Sequence, residues 1–146
     1  MIKPIAALAL CAALAGSARA DGYSVAGITL KLFDETTGKV LPLSRPPNPY
    51  GQNLTLMVIV KVKGSSETSP RAPLVLDLVS PGWSDEATGD HAPWKETQQR
   101  ALSANGEGNV GYQLFILPYQ CRMEVSFTAT LGKSSKTIKQ MLGCAE

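Results

Sequence analysis

The chain has 146 residues, is 44% hydrophobic and 18% charged, and carries 14 basic against 12 acidic side chains, one histidine and three cysteines. That length suits one domain with one core. With no cluster of lysines or arginines, the near-balanced charge argues against nucleic acid or an anionic membrane surface as the main partner.

The first residues set the compartment. Lys3 lies in a short charged region, an apolar run extends from Ile5 to Ala15, and Ala18-Arg19-Ala20 is a small-x-small cleavage site. The pattern predicts a signal peptide over 1–20 and a domain over 21–146. The run is shorter than the ~20 apolar residues of a membrane anchor. The expected location is therefore periplasmic or secreted, with no membrane insertion after cleavage. Cys11 raises the lipoprotein alternative, which Leu10 disfavours because a small residue belongs there. Removing Lys3 and Arg19 from the 14 basic residues leaves 12 against 12 acidic ones. The remaining two cysteines, Cys121 and Cys144, have the arithmetic of one bridge in an oxidising compartment.

In chain order, Ile28, Leu30 and Leu32 alternate with Thr29 and Lys31, predicting a first strand over Val25 to Phe33. Asp34 to Gly38 has turn chemistry, and Lys39 to Leu43 returns as a short edge strand that tolerates Pro42. Ser44 to Gly51 is a polyproline-biased connector. Leu54 to Val62 is β-branched and apolar on both faces in its middle, the pattern of a central strand covered on two sides, or of one covered by another sheet and a loop. Asn53-Leu54-Thr55 is a glycosylation acceptor in a eukaryotic cell. After an exposed loop over 63–71, Ala72 to Val79 is a strand with Leu74, Leu76 and Leu78 inward and Asp77 outward. Residues 81–109 show no strand period, and Pro93 followed by Trp94 to Leu102 predicts two turns of helix. Asn105 to Gly108 is a turn, and Val110 to Leu117 is a strand with Val110, Tyr112, Leu114 and Ile116 on one face.

The last segment is the most explicit. Met123, Val125, Phe127, Ala129 and Leu131 alternate with Arg122, Glu124, Ser126, Thr128 and Thr130. With Gly132-Lys133 as a two-residue turn, Leu131 faces Ser134, Phe127 faces Ile138, Met123 faces Leu142, and Cys121 falls directly opposite Cys144. The C-terminal hairpin is thus expected to be closed by a Cys121–Cys144 disulfide that staples strands. A four-residue loop from Gly132 to Ser135 would leave the cysteines diagonal. About seven short strands with Gly, Pro and Asn turns predict an all-β fold, a single antiparallel β-sandwich. Tyr119-x-Cys121 resembles the tyrosine corner that approaches a cysteine in immunoglobulin domains, over three residues and with the bridging cysteine downstream instead of upstream. The resemblance implies an immunoglobulin-like architecture.

Chemistry-bearing motifs are sparse. His91 is the single histidine, and no nucleophile elbow, phosphate-cradling glycine loop or His-Glu-x-x-His motif occurs. The densest polar cluster is Asp85 to His91, including Asp90, with Glu96 nearby; such loops can hold hard cations, or zinc with the imidazole, but the spacing fails the EF-hand pattern and a solvated acidic loop is expected. No metal and no cofactor are expected. Trp83 and Trp94 lie in the same irregular stretch, where aromatic rings offer contact area for a protein or a sugar. The candidate binding residues are therefore Trp83, Trp94, Asp85, Asp90 and His91. The expected function is an exported, non-catalytic module that binds a protein partner in the cell envelope or outside, as an inhibitor, immunity or accessory factor. Two alternatives are a structural or fimbrial subunit that donates Val25 to Phe33 to a neighbour, and a carbohydrate-binding or hydrolytic protein working through the 81–109 loop.

Overall fold

The computed structural model describes residues 22–44, 53–64, 69–86, 89–102 and 110–143. The predicted leader at 1–20, most of the Pro-rich connector, the Asn105 to Gly108 turn and Cys144 lie outside the described residues.

Among the described residues ten strands follow one another: β1 (Tyr23–Asp34), β2 (Lys39–Leu41), β3 (Leu54–Gly64), β4 (Leu74–Ser80), β5 (Trp83–Asp85), β6 (Gly89–His91), β7 (Trp94–Arg100), β8 (Val110–Pro118), β9 (Arg122–Leu131) and β10 (Ser134–Leu142). They form two antiparallel four-stranded sheets, ordered β2-β1-β3-β8 and β10-β9-β4-β7, and a two-stranded ribbon, β5-β6. Alternation places Leu54, Leu56, Val58, Val60 and Val62 of β3 on one side, and Leu74, Leu76, Leu78, Val125, Phe127 and Ala129 of the second sheet opposite them, in a single buried cluster. The arrangement is that of a β-sandwich. Phe115 and Phe127 are the largest of its fully buried side chains. Burying a side chain of this kind contributes about 1.5–3 kcal/mol.

The two sheets are laced together along both sides. On one, β1 breaks register between Val25 and Gly27, and the carbonyl of bulged Ala26 accepts from Lys136 Nζ of β10 at 2.9 Å. Beside it the Val25 amide donates to Ser134 Oγ at 3.0 Å. On the other side Gln98 Nε2 of β7 donates to the Ile116 carbonyl of β8 at 3.1 Å, and the Arg100 guanidinium sits 5.3 Å over the Phe115 ring. Outer-strand groups that would otherwise face water are thereby occupied.

The terminal hairpin has the predicted register from Ser134–Leu131 to Gln140–Val125, with Ile138 on Phe127. Gly132 has the positive φ, 57°, that the first central position of the turn demands. Beyond Gln140 the register slips by one, so Leu142 pairs with Arg122 instead of Met123. Tyr119 departs from the immunoglobulin-type corner: its hydroxyl donates to the Gly143 carbonyl, downstream at the end of β10.

Two linked expectations are overturned: among the described residues the strands number ten instead of about seven, because the 81–109 stretch, read as having no strand period, carries β5, β6 and β7. Trp94 to Leu102 is not helical; Trp94–Arg100 is strand β7, paired along β4 from Ser80–Trp94 to Leu74–Arg100. Trp94, Glu96 and Gln98 point toward the sandwich, while Lys95, Thr97 and Gln99 face solvent or the sheet's outer side. A strand with one apolar anchor gains a full backbone ladder from β4, and that outweighs the helix propensity of Lys, Glu, Gln and Arg.

Candidate binding surfaces

The first surface is the ribbon that carries most of the candidate residues. The β4–β7 hairpin and the ribbon share one count: Ser80 pairs with Trp94, two residues intervene on each strand, and Trp83 pairs with His91, Ser84 with Asp90 and Asp85 with Gly89. Pro81 and Pro93 therefore fall on the same rung. Neither has an N–H, so the ladder stops there and resumes beyond it. Gly82 packs into this break; a Cβ on it would lie 2.9 Å from the His91 carbonyl oxygen and 3.1 Å from Pro93. The base is fastened to the second sheet by Arg122, whose Nη1 donates to the Ala92 carbonyl at 2.6 Å and whose Nη2 donates to Gln120 Oε1 at 2.8 Å. Ser80, buried at the same junction, donates to the Glu124 carbonyl at 2.7 Å.

On the ribbon, the Trp83 indole stacks on the His91 imidazole with centroids 4.0 Å apart and planes 7° from parallel. The indole Nε1 is buried with no hydrogen-bond acceptor among the described residues. On the opposite ribbon face the Ser84 hydroxyl donates to Asp90 Oδ1. Strand alternation thus separates neighbours in sequence: His91 belongs with Trp83, and Asp90 with Ser84. Trp94 is elsewhere, 7% exposed within the core cluster. The structure therefore brings Trp83 and His91 together, places Asp85 and Asp90 on the same ribbon, and withdraws Trp94 from the surface. Among the described residues, no group of three or more His, Cys, Asp or Glu side chains is arranged to hold a metal ion.

The second surface is the outward side of the first sheet, β1-β3-β8. Rungs run Lys31–Met57–Ile116, Thr29–Ile59–Leu114 and Gly27–Lys61–Tyr112, with Val40–Phe33–Thr55 at the end next to β2. Tyr112 is 63% exposed and Ile116 55%, while Phe33, Met57, Ile59 and Leu114 are half-buried only by one another and their neighbours. No described element covers them. β3, expected to be covered on two sides, has core on one side and, on the other, an apolar face that no described residue covers.

The outer side of the other sheet is built differently. There Thr128 and Thr137 share a hydrogen bond at 2.9 Å, Thr130 and Ser135 another at 3.2 Å, Thr97 donates to Asp77 at 2.6 Å, and Lys139 bridges Glu124 at 3.0 Å. Val75 and Val79 are its aliphatic members, with Met141 at the bulge of β10. One sheet meets water mainly with hydroxyl and charge pairs, the other with Phe, Met, Ile, Leu and Tyr interspersed with Lys31, Lys61 and Lys63. Two signals in the sequence carried this face: β3 is apolar at successive positions, and Tyr112, Leu114 and Ile116 share one side of β8 while Phe115 and Leu117 fill the core. No known protein family, characterised protein or solved structure matches the chain.

Proposed function

We propose that the chain is an exported, non-catalytic β-sandwich that binds a protein partner in the cell envelope or outside, as an inhibitor, immunity or accessory factor, and that the outer face of β1-β3-β8 is the contact surface. The carrying observation is the asymmetry between the two sheets: contiguous apolar surface on a soluble sandwich is retained where something covers it. Export rests on the leader pattern of residues 1–20. The Cys121–Cys144 bridge belongs to the same proposal, supported by the Tyr119 hydroxyl, which holds the carbonyl of the residue before Cys144 from two residues before Cys121. An immunoglobulin-like topology is proposed on the strand orders: β1-β3-β8 corresponds to the A-B-E sheet, and β10-β9-β4-β7 to G-F-C with an added fourth strand.

Strand donation by Val25 to Phe33 has less support, because β1 is paired along β3 from Tyr23–Gly64 to Asp34–Leu54 within its own chain. A sugar site spanning both tryptophans would need Trp94 to leave the core.

The test is affinity capture by the tagged mature chain from the envelope and secreted fractions of its own host. The Tyr112→Ser, Ile116→Ser double variant is the control for the sheet face, and Trp83→Ala for the ribbon. Both positions of the double variant are more than half exposed, so its fold should be unaffected. One partner captured by the native chain and lost with the double variant supports the reading. Capture that survives in the double variant, or is lost only with Trp83→Ala, overturns the placement on the sheet face.

A further inference from the structure

Resting on the protein-binding reading, we infer that the outer face of β1-β3-β8 receives an acidic, aliphatic segment of a different protein, whose carboxylates meet Lys31, Lys61 and Lys63.

The three lysines and the apolar side chains share one surface. Lys31 pairs across to Met57, Lys61 to Tyr112 and Lys63 to Ser24, all on outward positions. Among the described residues, the carboxylate at the end of this face is Glu35, beyond Asp34, and it already accepts from the Thr55 hydroxyl. The face is therefore apolar and positive at once, and a complementary ligand is apolar and negative.

Charge and size together choose among occupants. Two copies of this chain placed face to face would enclose six lysines against two Glu35 carboxylates, a like-charge arrangement that disfavours association. By strand spacing and rise the face covers roughly 400 Å², about half of what each side of a standard protein interface contributes. That suits one short segment better than a dimer. A lipid surface fits less well, because Lys31 and Lys61 stand within rungs that also carry Met57, Ile116 and Tyr112, and inserting those apolar groups would carry the charges toward hydrocarbon. A peptide carboxylate can meet each lysine at its own position.

The experiment screens the mature chain against a displayed library of random 12-residue peptides. The best sequence is then synthesised and measured by fluorescence anisotropy against the native chain, a Lys31→Glu, Lys63→Glu variant and the Tyr112→Ser, Ile116→Ser variant. Lys31 and Lys63 are exposed, and matching melting curves check that each variant is folded. The expected result is enrichment of peptides mixing Asp or Glu with aliphatic residues, and affinity that falls more than about tenfold in each variant and weakens with added salt. Loss in the apolar variant with none in the lysine variant overturns the acidic ligand and leaves the protein-binding reading standing. Binding unaffected by either variant overturns both. Two further outcomes replace the ligand. One is binding to phosphatidylglycerol vesicles, lost in both variants, with no peptide enriched; the other is a dimer in sedimentation equilibrium that the apolar variant dissociates.

Discussion

Replacing each tryptophan by alanine separately should give opposite results, although the two residues are eleven positions apart in one segment. Trp94 is 7% exposed and belongs to the core cluster. Truncating a core indole removes its transfer energy and leaves a cavity, a cost of about 3–5 kcal/mol. For a domain of this length that corresponds to a melting temperature lower by about 10–20 °C. Trp83 has a different balance: its stack on His91 is worth about 0.5–1.5 kcal/mol, and its removal also abolishes a buried indole N–H that has no acceptor among the described residues. These terms offset, so Trp83→Ala should remain within about 1 kcal/mol of the native chain. The assay is guanidinium unfolding followed by far-ultraviolet circular dichroism, because deleting an indole alters the fluorescence signal itself. Equal losses for the two variants, or a Trp94→Ala cost below about 1 kcal/mol, would refute the assignment of one ring to the core and the other to the ribbon.

Other predictions concern protons and sulfur. Burial pushes the Tyr119 phenol above its ordinary value. The folded state therefore keeps a proton that the unfolded chain loses above about pH 10; stability should fall on that alkaline side, and Tyr119→Phe should flatten the fall in alkaline melting curves. The Asp34 carboxylate is held below its usual range, chiefly by the Thr37 hydroxyl at 2.7 Å, with the Thr36 and Thr37 amides adding to the effect. Its contribution should be present at neutral pH and disappear as pH drops below about 4 through the depressed value. An acid titration of Asp34→Asn should lack that component. If Cys121 and Cys144 are bridged as proposed, a reductant or Cys121→Ser should cost about 3 kcal/mol by loop entropy, and a melting curve insensitive to reductant would refute the bridge.

Where apolar alternation and turn chemistry agreed, residues alone indicated strand, register and face. Leu131–Ser134 and Phe127–Ile138 follow from Gly132 in the turn and from period-two alternation. The bulge beyond Gln140 was hidden because Met141 and Leu142 are both apolar, so either could occupy the inward position. Strand β7 was hidden for a different reason. Its pairing partner lies across a hairpin broken by prolines, and beyond Trp94 it has no inward apolar side chain to reveal a period of two. The count that aligns Pro81 with Pro93 was the available clue. Most of the candidate site could be placed on one element, but segment proximity cannot show whether an aromatic ring points into a core or out of it. The sheet face was legible as a surplus: β3 has more apolar positions than one core side can use.

The rung shared by Pro81 and Pro93 also divides the molecule in time. With no donor on either strand there, opening the ribbon breaks no hydrogen bond of the β4–β7 ladder, so Ser84 to His91 should unfold and refold as a unit of their own. Amide hydrogen exchange would record this as a step: ribbon amides exchanging through a local opening, and Val125 or Phe127 waiting for the whole sandwich to unfold. The Arg122 bonds at the ribbon's base set the height of that step, and Arg122→Ala should accelerate exchange in the ribbon while leaving the rate at Phe127 nearly unchanged.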